Sequence, residues 1–526
     1  MPKVLICDPM AEEGLSLLRQ ACQVVLAVGQ NETDLVKAVS DVDAIVVRSE
    51  TKITAAILRA APKLCIVGRA GVGVDNIDVK AATAAGVVVV NSPEGNTIAA
   101  AEHTFALLLA MARSIPQANQ ALREGRWDRK KFTGREVYQK TLGILGFGKI
   151  GSRVAGYARQ FGMRVIAYDP FVSADIMAAQ DVQATGLETI FKESDFISLH
   201  LPKTEDTKNL INQAALAQMK PSVGIINCAR GGVVNEADAY QALSTGKIGG
   251  AAFDVFEKEP NTDSPLIALP TVITTPHLGA STAEAQVNVA IDVAQDIVRV
   301  LSGLPALNAV NIPSLKAEII EPVAPFLDLS EKLGLFLAQL AHQPPQRLDI
   351  KYHGELAQKN VAPLTLAFLK GFLKSQVGER VNFVNAALVA KERSLRINET
   401  RDEGPSDYVN LISATASGSQ STHKVAGTQS KIFGDTIVSV DGFKLNAHAQ
   451  GILLVIPNQD VPGMVAKIAT YLGDRHINIA GMTVGRAGPG REARMILNID
   501  EPVTKEDLEV LAKIGNILGI PRQIQL

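Results

Sequence analysis

Three residues with complementary chemistry follow three separate apolar segments of the chain: Arg230, Glu259 and His277. A histidine titrates near neutral pH and can accept the proton of a hydroxyl group. A carboxylate against its other ring nitrogen would fix the tautomer and stabilise the imidazolium. A guanidinium can bind a substrate carboxylate through two hydrogen bonds. We therefore predict that His277 is an acid/base, that Glu259 orients it and that Arg230 binds a carboxylate beside the reacting carbon.

Each of these residues alone also fits a simpler role. His277 could be a buried structural histidine, Glu259 precedes a proline and could cap a turn, and Arg230 could be structural. Two other histidines compete for the acid/base role. His103 lies in an apolar helical segment, which favours a core role, and His200 could border a cofactor.

The segments that precede the three residues indicate how they are positioned. Gly224–Asn227, Gly249–Val255 and Val272–Thr275 have the apolar composition of buried strands. In open parallel sheets, ligands bind beyond the carboxyl ends of the strands. The prediction depends on the joint placement of Arg230, Glu259 and His277 at that edge.

A glycine-rich turn lies upstream, in the sequence GFGKIG. It follows a strand pattern at Thr141–Leu145 and precedes a helix-compatible stretch at Ser152–Gln160. This is the context of a dinucleotide-binding turn. Gly146 would permit the tight turn, Gly148 would let a pyrophosphate approach the backbone, and Gly151 would let helix and strand pack closely.

Asp169 suggests which dinucleotide binds. It ends the strand pattern Arg164–Tyr168 and lies 18 residues beyond Gly151 (169 − 151). A carboxylate at this spacing binds the ribose hydroxyls of NAD and would repel the extra phosphate of NADP. The same pattern is also compatible with an ordinary strand–turn–helix. Together with His277, it predicts hydride transfer between a secondary alcohol and NAD.

The first 96 residues alternate strand and helix patterns, as expected for a parallel doubly wound sheet. Arg48 and Arg69 end two of the predicted strands. They are equally compatible with solvated surface and with an anion pocket. The glycine-rich segment Ala70–Asp78 has no following helix with Rossmann spacing, so we interpret it as a substrate loop.

Composition limits the possible functions. A chain of 526 residues is expected to fold as three or four domains, and a net charge of −2 argues against nucleic-acid binding. The four cysteines show neither metal-ligand spacing nor a disulfide pattern, so we predict no metal and a cytoplasmic location.

The apolar stretch Thr97–Ile115 contains Glu102, His103 and Arg113, which predicts one buried helix rather than a membrane span. Downstream of it, Trp127 and Phe132 predict a packed segment around the cations of the segment from Arg126 to Lys131.

The C-terminal third differs in character. A proline-punctuated boundary at Gly303–Ser314 precedes residues 315–450, where helical stretches are followed by short strand patterns. Residues 451–526 have the order βαββαβ of a ferredoxin-like unit. This last unit is expected to bind a small molecule or to pair with a copy of itself.

Several motifs resemble those of the D-isomer-specific 2-hydroxyacid dehydrogenases. The resemblance rests on INCARGGVVNE, AAFDVFEKEP and TPHLGASTAEAQ, with VVRSETKIT, VGRAGVGVDNID, NTIAAAEHTFALLLA and WDRKKFTG. The resemblance covers the whole chain. The additional block at residues 315–450 is similar to the intervening domain in the long form of these enzymes. The implied fold is α/β, with two doubly wound parallel-sheet (Rossmann/flavodoxin-like) domains, an α+β intervening domain and a C-terminal ferredoxin-like ACT domain.

The resemblance implies NAD-dependent oxidation of 3-phospho-D-glycerate to 3-phosphohydroxypyruvate, the first step of the phosphorylated route to L-serine. It gives Arg230, Glu259 and His277 the roles stated above. It assigns anionic substrate groups to Arg48 and Arg69, with a cation near Arg129 supplied by a neighbouring subunit. The implied cofactor contacts are Gly146, Gly148, Lys149, Ile150, Gly151, Asp169, Cys228, Ala229, Arg230, Asp254, His277, Leu278, Gly279 and Ala280.

The resemblance also implies a domain plan: a substrate domain at 1–97 completed by 290–313, an NAD domain at 98–289, an intervening domain at 314–450 and the ACT domain at 451–526. Asn458, Asp460 and Asn478 match positions that hold L-serine in some members. A homodimer or homotetramer is implied. Two alternatives stay open, namely another D-2-hydroxyacid dehydrogenase acting on glycerate, glyoxylate or lactate, and a non-catalytic NAD-responsive binding module.

Overall fold

The structure is a computed structural model that describes residues 1–312, 317–341, 344–378, 381–404, 407–419 and 421–526. The predicted domain boundary at 313/314 lies outside the described residues. Within these ranges the strands form four sheets.

The first sheet is parallel, and its strands other than the edge strand β2 are mostly buried. Its order, β2-β1-β3-β4-β5, is flavodoxin-like, in agreement with the fold implied for the N-terminal domain. Apolar residues on both faces of the inner strands pack beneath helices, as expected for a parallel sheet. The elements are β1 (Lys3–Ile6), α1 (Glu12–Ala21), β2 (Gln23–Leu26), α2 (Glu32–Ala38), β3 (Ala44–Val47), α3 (Ala55–Ala60), β4 (Ile66–Arg69), α4 (Val79–Ala84) and β5 (Val88–Asn91).

The apolar stretch after this sheet forms two helices, α5 (Thr97–Ala112) and α6 (Ile115–Arg123). The single helix predicted for Thr97–Ile115 is therefore wrong at its end. Ser114 has a left-handed backbone with φ of 49°, which breaks the helical hydrogen-bond pattern, and the two helices meet at 63°. Among the described residues, no single helix has both the length and the apolar composition needed to cross a membrane.

The second sheet is also parallel and has the order β12-β11-β10-β9-β6-β7-β8. Counted from β6, this is the Rossmann order 3-2-1-4-5-6 with one further strand. The elements are β6 (Thr141–Leu145), α7 (Lys149–Gln160), β7 (Arg164–Tyr168), α8 (Ala174–Ala178), β8 (Gln183–Ala184), α9 (Leu187–Glu193), β9 (Phe196–Leu199), α10 (Gln213–Gln218), β10 (Gly224–Asn227), α11 (Glu236–Ser244), β11 (Gly250–Phe253) and β12 (Val272–Thr274).

Helix α12 (Ala283–Leu301) returns the chain to the first sheet. Its Val293 and Ile297 are fully buried against β4, where Gly68 provides the space for them. The predicted domain boundary at 289/290 falls inside this continuous helix.

The third sheet is mixed, with the order β14-β13-β15-β16-β17-β18. Its strands are longer than predicted, and helices cover one face, which gives the predicted α+β unit. The elements are α13 (Ala317–Ile320), α14 (Leu327–Leu340), β13 (Arg347–Gly354), α15 (Ala362–Val377), α16 (Ala386–Glu392), β14 (Arg396–Asp402), β15 (Asn410–Ser417), β16 (Thr422–Ser430), β17 (Gly434–Val440) and β18 (Phe443–His448).

The fourth sheet is antiparallel, with the order β20-β21-β19-β22, and confirms the predicted βαββαβ arrangement. Successive side chains of β19 point to opposite faces of this sheet, and apolar side chains on both faces are buried. Leu454 and Ile456 pack on the unit's own helices, whereas Leu453 and Val455 join the core of the third-sheet unit. The elements are β19 (Ile452–Gln459), α17 (Met464–Gly473), β20 (Ile479–Arg486), β21 (Glu492–Ile499), α18 (Lys505–Ala512) and β22 (Arg522–Gln525).

Candidate active site

Arg230 is held at the carboxyl end of β10 by Asn227, the last residue of that strand. Asn227 is buried, its Nδ2 donates to the Arg230 carbonyl at 3.0 Å, and its Oδ1 accepts from the Ala229 amide at 3.1 Å. The turn 228–230 is therefore fixed by one side chain, and the guanidinium extends toward the first sheet.

His277 is positioned by the end of the neighbouring strand. Its amide donates to the Asp254 carbonyl at 2.9 Å, and its backbone is left-handed with φ of 57°. The carboxylate of Asp254 accepts from the amides of Leu278 at 2.7 Å and Gly279 at 2.8 Å. Asp254 therefore shapes the loop that carries the histidine.

The side chains of His277 and Glu259 form a direct pair. Nδ1 of His277 lies 2.7 Å from Oε2 of Glu259, whose Oε1 accepts from the Phe256 amide at 2.9 Å. The hydrogen bond with Glu259 raises the pKa of His277 above its usual 6.5, against the opposing effect of burial. Burial acts to raise the pKa of Glu259, but the hydrogen bonds from His277 and the Phe256 amide outweigh it and lower that pKa. Because Glu259 occupies Nδ1, Nε2 of His277 is left to exchange a proton with a substrate.

The two competing histidines have other partners. Nε2 of His103 lies 3.1 Å from Oδ1 of Asp254 and 3.2 Å from Oγ1 of Thr275, so this histidine supports the buried carboxylate rather than an apolar core. The ring of His200 pairs with Oγ of Ser198 at 2.8 Å. Burial lowers the pKa of His200 to about 4 and keeps it neutral.

One group of residues within the described ranges has metal-compatible geometry: His103, Cys228 and Asp254. The oxygens of Asp254 already accept hydrogen bonds from two amides, a hydroxyl and His103. Burial raises the pKa of Cys228 to about 12, so its thiolate is not accessible at neutral pH. These donor groups therefore fit an internal hydrogen-bond network better than a cation.

The glycine-rich turn has the geometry of a phosphate cradle. Gly146 has φ of +95°, and a Cβ there would lie 2.6 Å from the His200 carbonyl oxygen. A Cβ on Gly151 would overlap the Gly146 carbonyl, so only glycine permits this helix–turn contact. Gly148 is the N-cap of α7 and faces open space, with no atom within 4 Å of the point that a Cβ would occupy. The turn therefore fits a dinucleotide pyrophosphate at the helix N-terminus.

Asp169 lies against the same turn. Its Oδ2 accepts from the Phe147 amide and its Oδ1 from the Phe171 amide, both at 2.8 Å. The carboxylate of Asp169 therefore lies where the ribose hydroxyls of NAD are expected to bind. At the start of α7, Lys149 forms an ion pair with Glu94, and Ile150 follows it in the first helical turn.

Arg48 and Arg69 lie at neighbouring strand ends, and the charges of Arg48 and Arg230 both act on Arg69. Arg69 is half-buried, and its Nε makes no hydrogen bond within the described part of the chain. Burial first, and then the charge of Arg230, lower the pKa of Arg69 to about 10. The carboxylates of Asp75 and Asp8 act on Arg69 as opposite charges, but burial and the two neighbouring arginines outweigh them. This balance favours an anion pocket, the second of the two interpretations that the sequence left open.

The sequence predicted a substrate loop at Ala70–Asp78 but not which residues of that loop contact the pocket. Oδ2 of Asp75 lies 3.3 Å from Nε of Arg230. A Cβ on Gly71 would overlap the Arg69 guanidinium, and a Cβ on Gly73 would overlap that of Arg230. The glycine-rich composition of 70–78 was the available signal, but the partners of the loop depend on how the two domains pack.

The segment around Arg129 differs from the prediction. Trp127 is 81% exposed, and Arg126 pairs with Glu124 and Asp128 of its own segment. The predicted packing of Trp127 is therefore wrong within one chain, because no other described element covers that aromatic side chain. Arg129 is exposed and shows no contact with the three arginines of the pocket.

The three predicted effector residues do not converge within one chain. Asn458 pairs in register with Ala493 at one end of β21, whereas Asn478 precedes β20, whose first residue pairs with Ile499 at the other end. Asp460 pairs with Arg486, and Asn478 donates to Asp500 at 2.7 Å. Oδ1 of the buried Asn458 has no hydrogen-bond partner among the described residues.

Three family models match the chain. Residues 105–279 match the NAD-binding domain of D-isomer-specific 2-hydroxyacid dehydrogenases, residues 322–441 the D-3-phosphoglycerate dehydrogenase intervening domain, and residues 453–516 the ACT domain. These matches confirm the resemblance found in the sequence, with its NAD-binding, intervening and ACT domains.

Relatives and solved structures agree with these matches. D-3-phosphoglycerate dehydrogenase from Synechocystis sp. is 47% identical over 98% of this chain and 94% of its own length. The enzyme of the same name from Bacillus subtilis is 41% identical over 99% of both chains. The structure of D-lactate dehydrogenase from Aquifex aeolicus with NAD and lactic acid covers 57% of this chain and 96% of its own, with a TM-score of 0.52 and 28% identity.

The matches extend over the catalytic, intervening and C-terminal regions and include relatives that align end to end. The chain therefore belongs to the D-3-phosphoglycerate dehydrogenase family of NAD-dependent D-isomer-specific 2-hydroxyacid dehydrogenases.

Proposed function

We propose that this enzyme oxidises 3-phospho-D-glycerate to 3-phosphohydroxypyruvate with NAD, the first step of the phosphorylated route to L-serine. The observation that carries the proposal is that Arg230 lies close enough to act electrostatically on both His277 of the His277–Glu259 pair and Arg69 of the anion pocket. The names of the relatives support the same substrate.

His277 is the proton acceptor in this reaction. Glu259 holds the proton of the imidazole on Nδ1, so the lone pair of Nε2 takes the proton from the substrate's C2 hydroxyl. NAD, when bound, supplies the acceptor for the hydride that leaves C2. The imidazolium that forms is stabilised by the carboxylate of Glu259, and the reverse reaction returns the proton to the ketone oxygen.

Arg230 binds the substrate carboxylate and Arg48 and Arg69 bind the phosphate. Arg69 supports this assignment best, because a half-buried guanidinium with an unpaired Nε gains most from a dianionic partner. We further propose that a cation near Arg129 completes the pocket from a neighbouring subunit, consistent with its exposure in one chain.

We propose a homodimer or homotetramer and a cytoplasmic location. Large exposed apolar side chains cluster in sequence around α5, α6 and the following loop, namely Ile98, Ile115, Leu122 and Trp127. Such side chains are typical of surfaces that pack against another subunit. All four cysteines are free thiols, which suits a reducing compartment.

We propose that L-serine is the effector of the ACT domain, bound near Asn458, Asp460 and Asn478. The buried, unpartnered Oδ1 of Asn458 favours a polar ligand at that end of β19. Because Asn458 and Asn478 lie at opposite ends of the sheet, a site using both residues would need a second chain.

The test is NADH consumption with 3-phosphohydroxypyruvate, hydroxypyruvate and pyruvate, with NADPH in parallel and with or without L-serine. We expect fast turnover of 3-phosphohydroxypyruvate with NADH and slow turnover with NADPH. Turnover confined to hydroxypyruvate or pyruvate would assign the enzyme to a different D-2-hydroxy acid.

A further inference from the structure

Asp75 and Arg230 join two parts of the chain across the cleft. Asp75 follows β4 of the first sheet, and Arg230 follows β10 of the second. Oδ2 of Asp75 lies 3.3 Å from Nε of Arg230, and a Cβ on Gly73 would lie 2.7 Å from the same oxygen. The absence of a side chain at Gly73 thus makes room for both members of the pair.

The pair has the character of an exchangeable contact. The side chain of Asp75 is 78% exposed, whereas that of Arg230 is 32% exposed. The nearest nitrogen–oxygen distance of 3.3 Å is longer than that of a strong charge-assisted hydrogen bond, and Nη1 of Arg230 donates to the Ala229 carbonyl at 2.8 Å. Exposed ion pairs stabilise a protein weakly, so a ligand can displace Asp75 at small cost.

The surrounding charges explain why Arg230 needs such a partner when no substrate is bound. Arg230 and Arg48 both act on the half-buried Arg69 as like charges, and Asp75 and the buried Asp8 act on it as opposite charges. A substrate that brings a carboxylate and a phosphate compensates the arginines itself. Asp75 would then face those anionic groups as a like charge and would turn to solvent.

Building on the proposed function, we propose that Asp75 occupies the carboxylate position on Arg230 when no substrate is bound and is displaced by the carboxylate of the substrate. Asp75 is therefore a positioning residue. It competes with the substrate carboxylate for Arg230 and forms the ion pair with Arg230 again after the product has dissociated. Removing the carboxylate of Asp75 should therefore increase the affinity for the substrate. Removing a residue that only orients Arg230 would decrease it.

The test compares Asp75→Asn with Glu50→Gln, which removes the same charge from another exposed acid of the first-sheet domain. For Asp75→Asn we expect the KM values for both keto acids, phosphorylated and unphosphorylated hydroxypyruvate, to fall about two- to fivefold, the range expected for loss of an exposed ion pair. The KM for NADH should stay unchanged, kcat should not rise, and Glu50→Gln should leave all these constants unchanged. Asp75→Ser should behave as Asp75→Asn does.

A higher or unchanged KM for both keto acids in Asp75→Asn would overturn the proposal, as would an equal fall in Glu50→Gln. Calorimetric titration of malonate into the NADH complex separates this proposal from the proposed substrate, since it needs no turnover. Tighter malonate binding by Asp75→Asn than by the unaltered enzyme supports the exchange even if no phosphorylated acid is turned over, and equal binding contradicts it.

Discussion

Nδ1 of His277 lies 2.7 Å from Oε2 of Glu259, and the two residues are carried by loops that follow different strands of one parallel sheet. The contact raises the pKa of the histidine and helps to lower that of the carboxylate. Nε2 of His277 must be unprotonated to accept the substrate's proton, so the raised pKa of this histidine sets the pH below which oxidation slows.

This relationship predicts the pH dependence of the reaction. Oxidation requires neutral His277, so its rate should fall as the pH drops through a pKa above the usual 6.5. Glu259→Gln removes the main cause of the raised pKa and should move this acid limb to lower pH. It should also reduce kcat about 10²- to 10⁴-fold, because the tautomer is no longer fixed. The control is Glu257→Gln in the same loop; an unmoved acid limb in Glu259→Gln would count against the pairing.

Alanine substitutions at two glycines of the turn should have different effects, one on cofactor binding and the other on stability. Gly148→Ala places a methyl group in open space where the pyrophosphate is expected, so it should raise the KM for NAD with little change in Tm. Gly151→Ala would force the helix away from the Gly146 carbonyl and should destabilise the fold by about 1–3 kcal/mol. Thermal unfolding and NAD titration of both variants check this; normal NAD binding by Gly148→Ala would contradict the proposed cofactor position.

Gly73 is expected to matter for substrate binding more than for stability. A Cβ there would overlap the Arg230 guanidinium, which is the end of a flexible side chain and can move aside. Gly73→Ala should therefore lower kcat/KM for the keto acid about ten- to a hundredfold, the effect of displacing a substrate-binding group by about 1 Å. Gly156→Ala, in the open surface of α7, serves as the control and should leave kcat/KM unchanged. Equal kinetics in the two variants would argue against Arg230 as the carboxylate ligand.

The anion pocket predicts a substrate-dependent effect of its arginines. Arg48→Ala and Arg69→Ala should raise the KM for phosphohydroxypyruvate much more than the KM for hydroxypyruvate, since only the former acid carries a phosphate. Steady-state kinetics with both acids measure the difference. Equal increases for the two acids would remove phosphate binding from the roles of Arg48 and Arg69.

Features encoded in short stretches were predictable from the sequence. The turn at Gly146, the spacing to Asp169 and the βαββαβ order of the last unit each depend on residues close together in the chain. The glycines are informative because φ at Gly146 and the contact at Gly151 exclude other residues.

Features that depend on packing between distant segments were not predictable. Asp75 contacts Arg230 only because loops that follow strands of two different sheets come together. No local sequence pattern predicts the distance between these two side chains. The break at Ser114 is a different case, because Pro116 in the first turn of α6 was a local signal for it that the prediction of one helix did not use. The exposure of Trp127 depends on whether another element covers it, which an aromatic residue in a basic segment does not reveal.

The central claim is that His277 transfers the proton during NAD-dependent chemistry on 3-phosphohydroxypyruvate. The most direct measurement compares NADH oxidation by the unaltered enzyme and by His277→Ala, with NADH binding measured in parallel by fluorescence. We predict rapid oxidation by the unaltered enzyme, and for His277→Ala retained NADH binding with turnover reduced about 10²-fold or more. Undiminished turnover by His277→Ala would contradict the acid/base role, and NADH binding without turnover by the unaltered enzyme would indicate a binding module instead of a dehydrogenase.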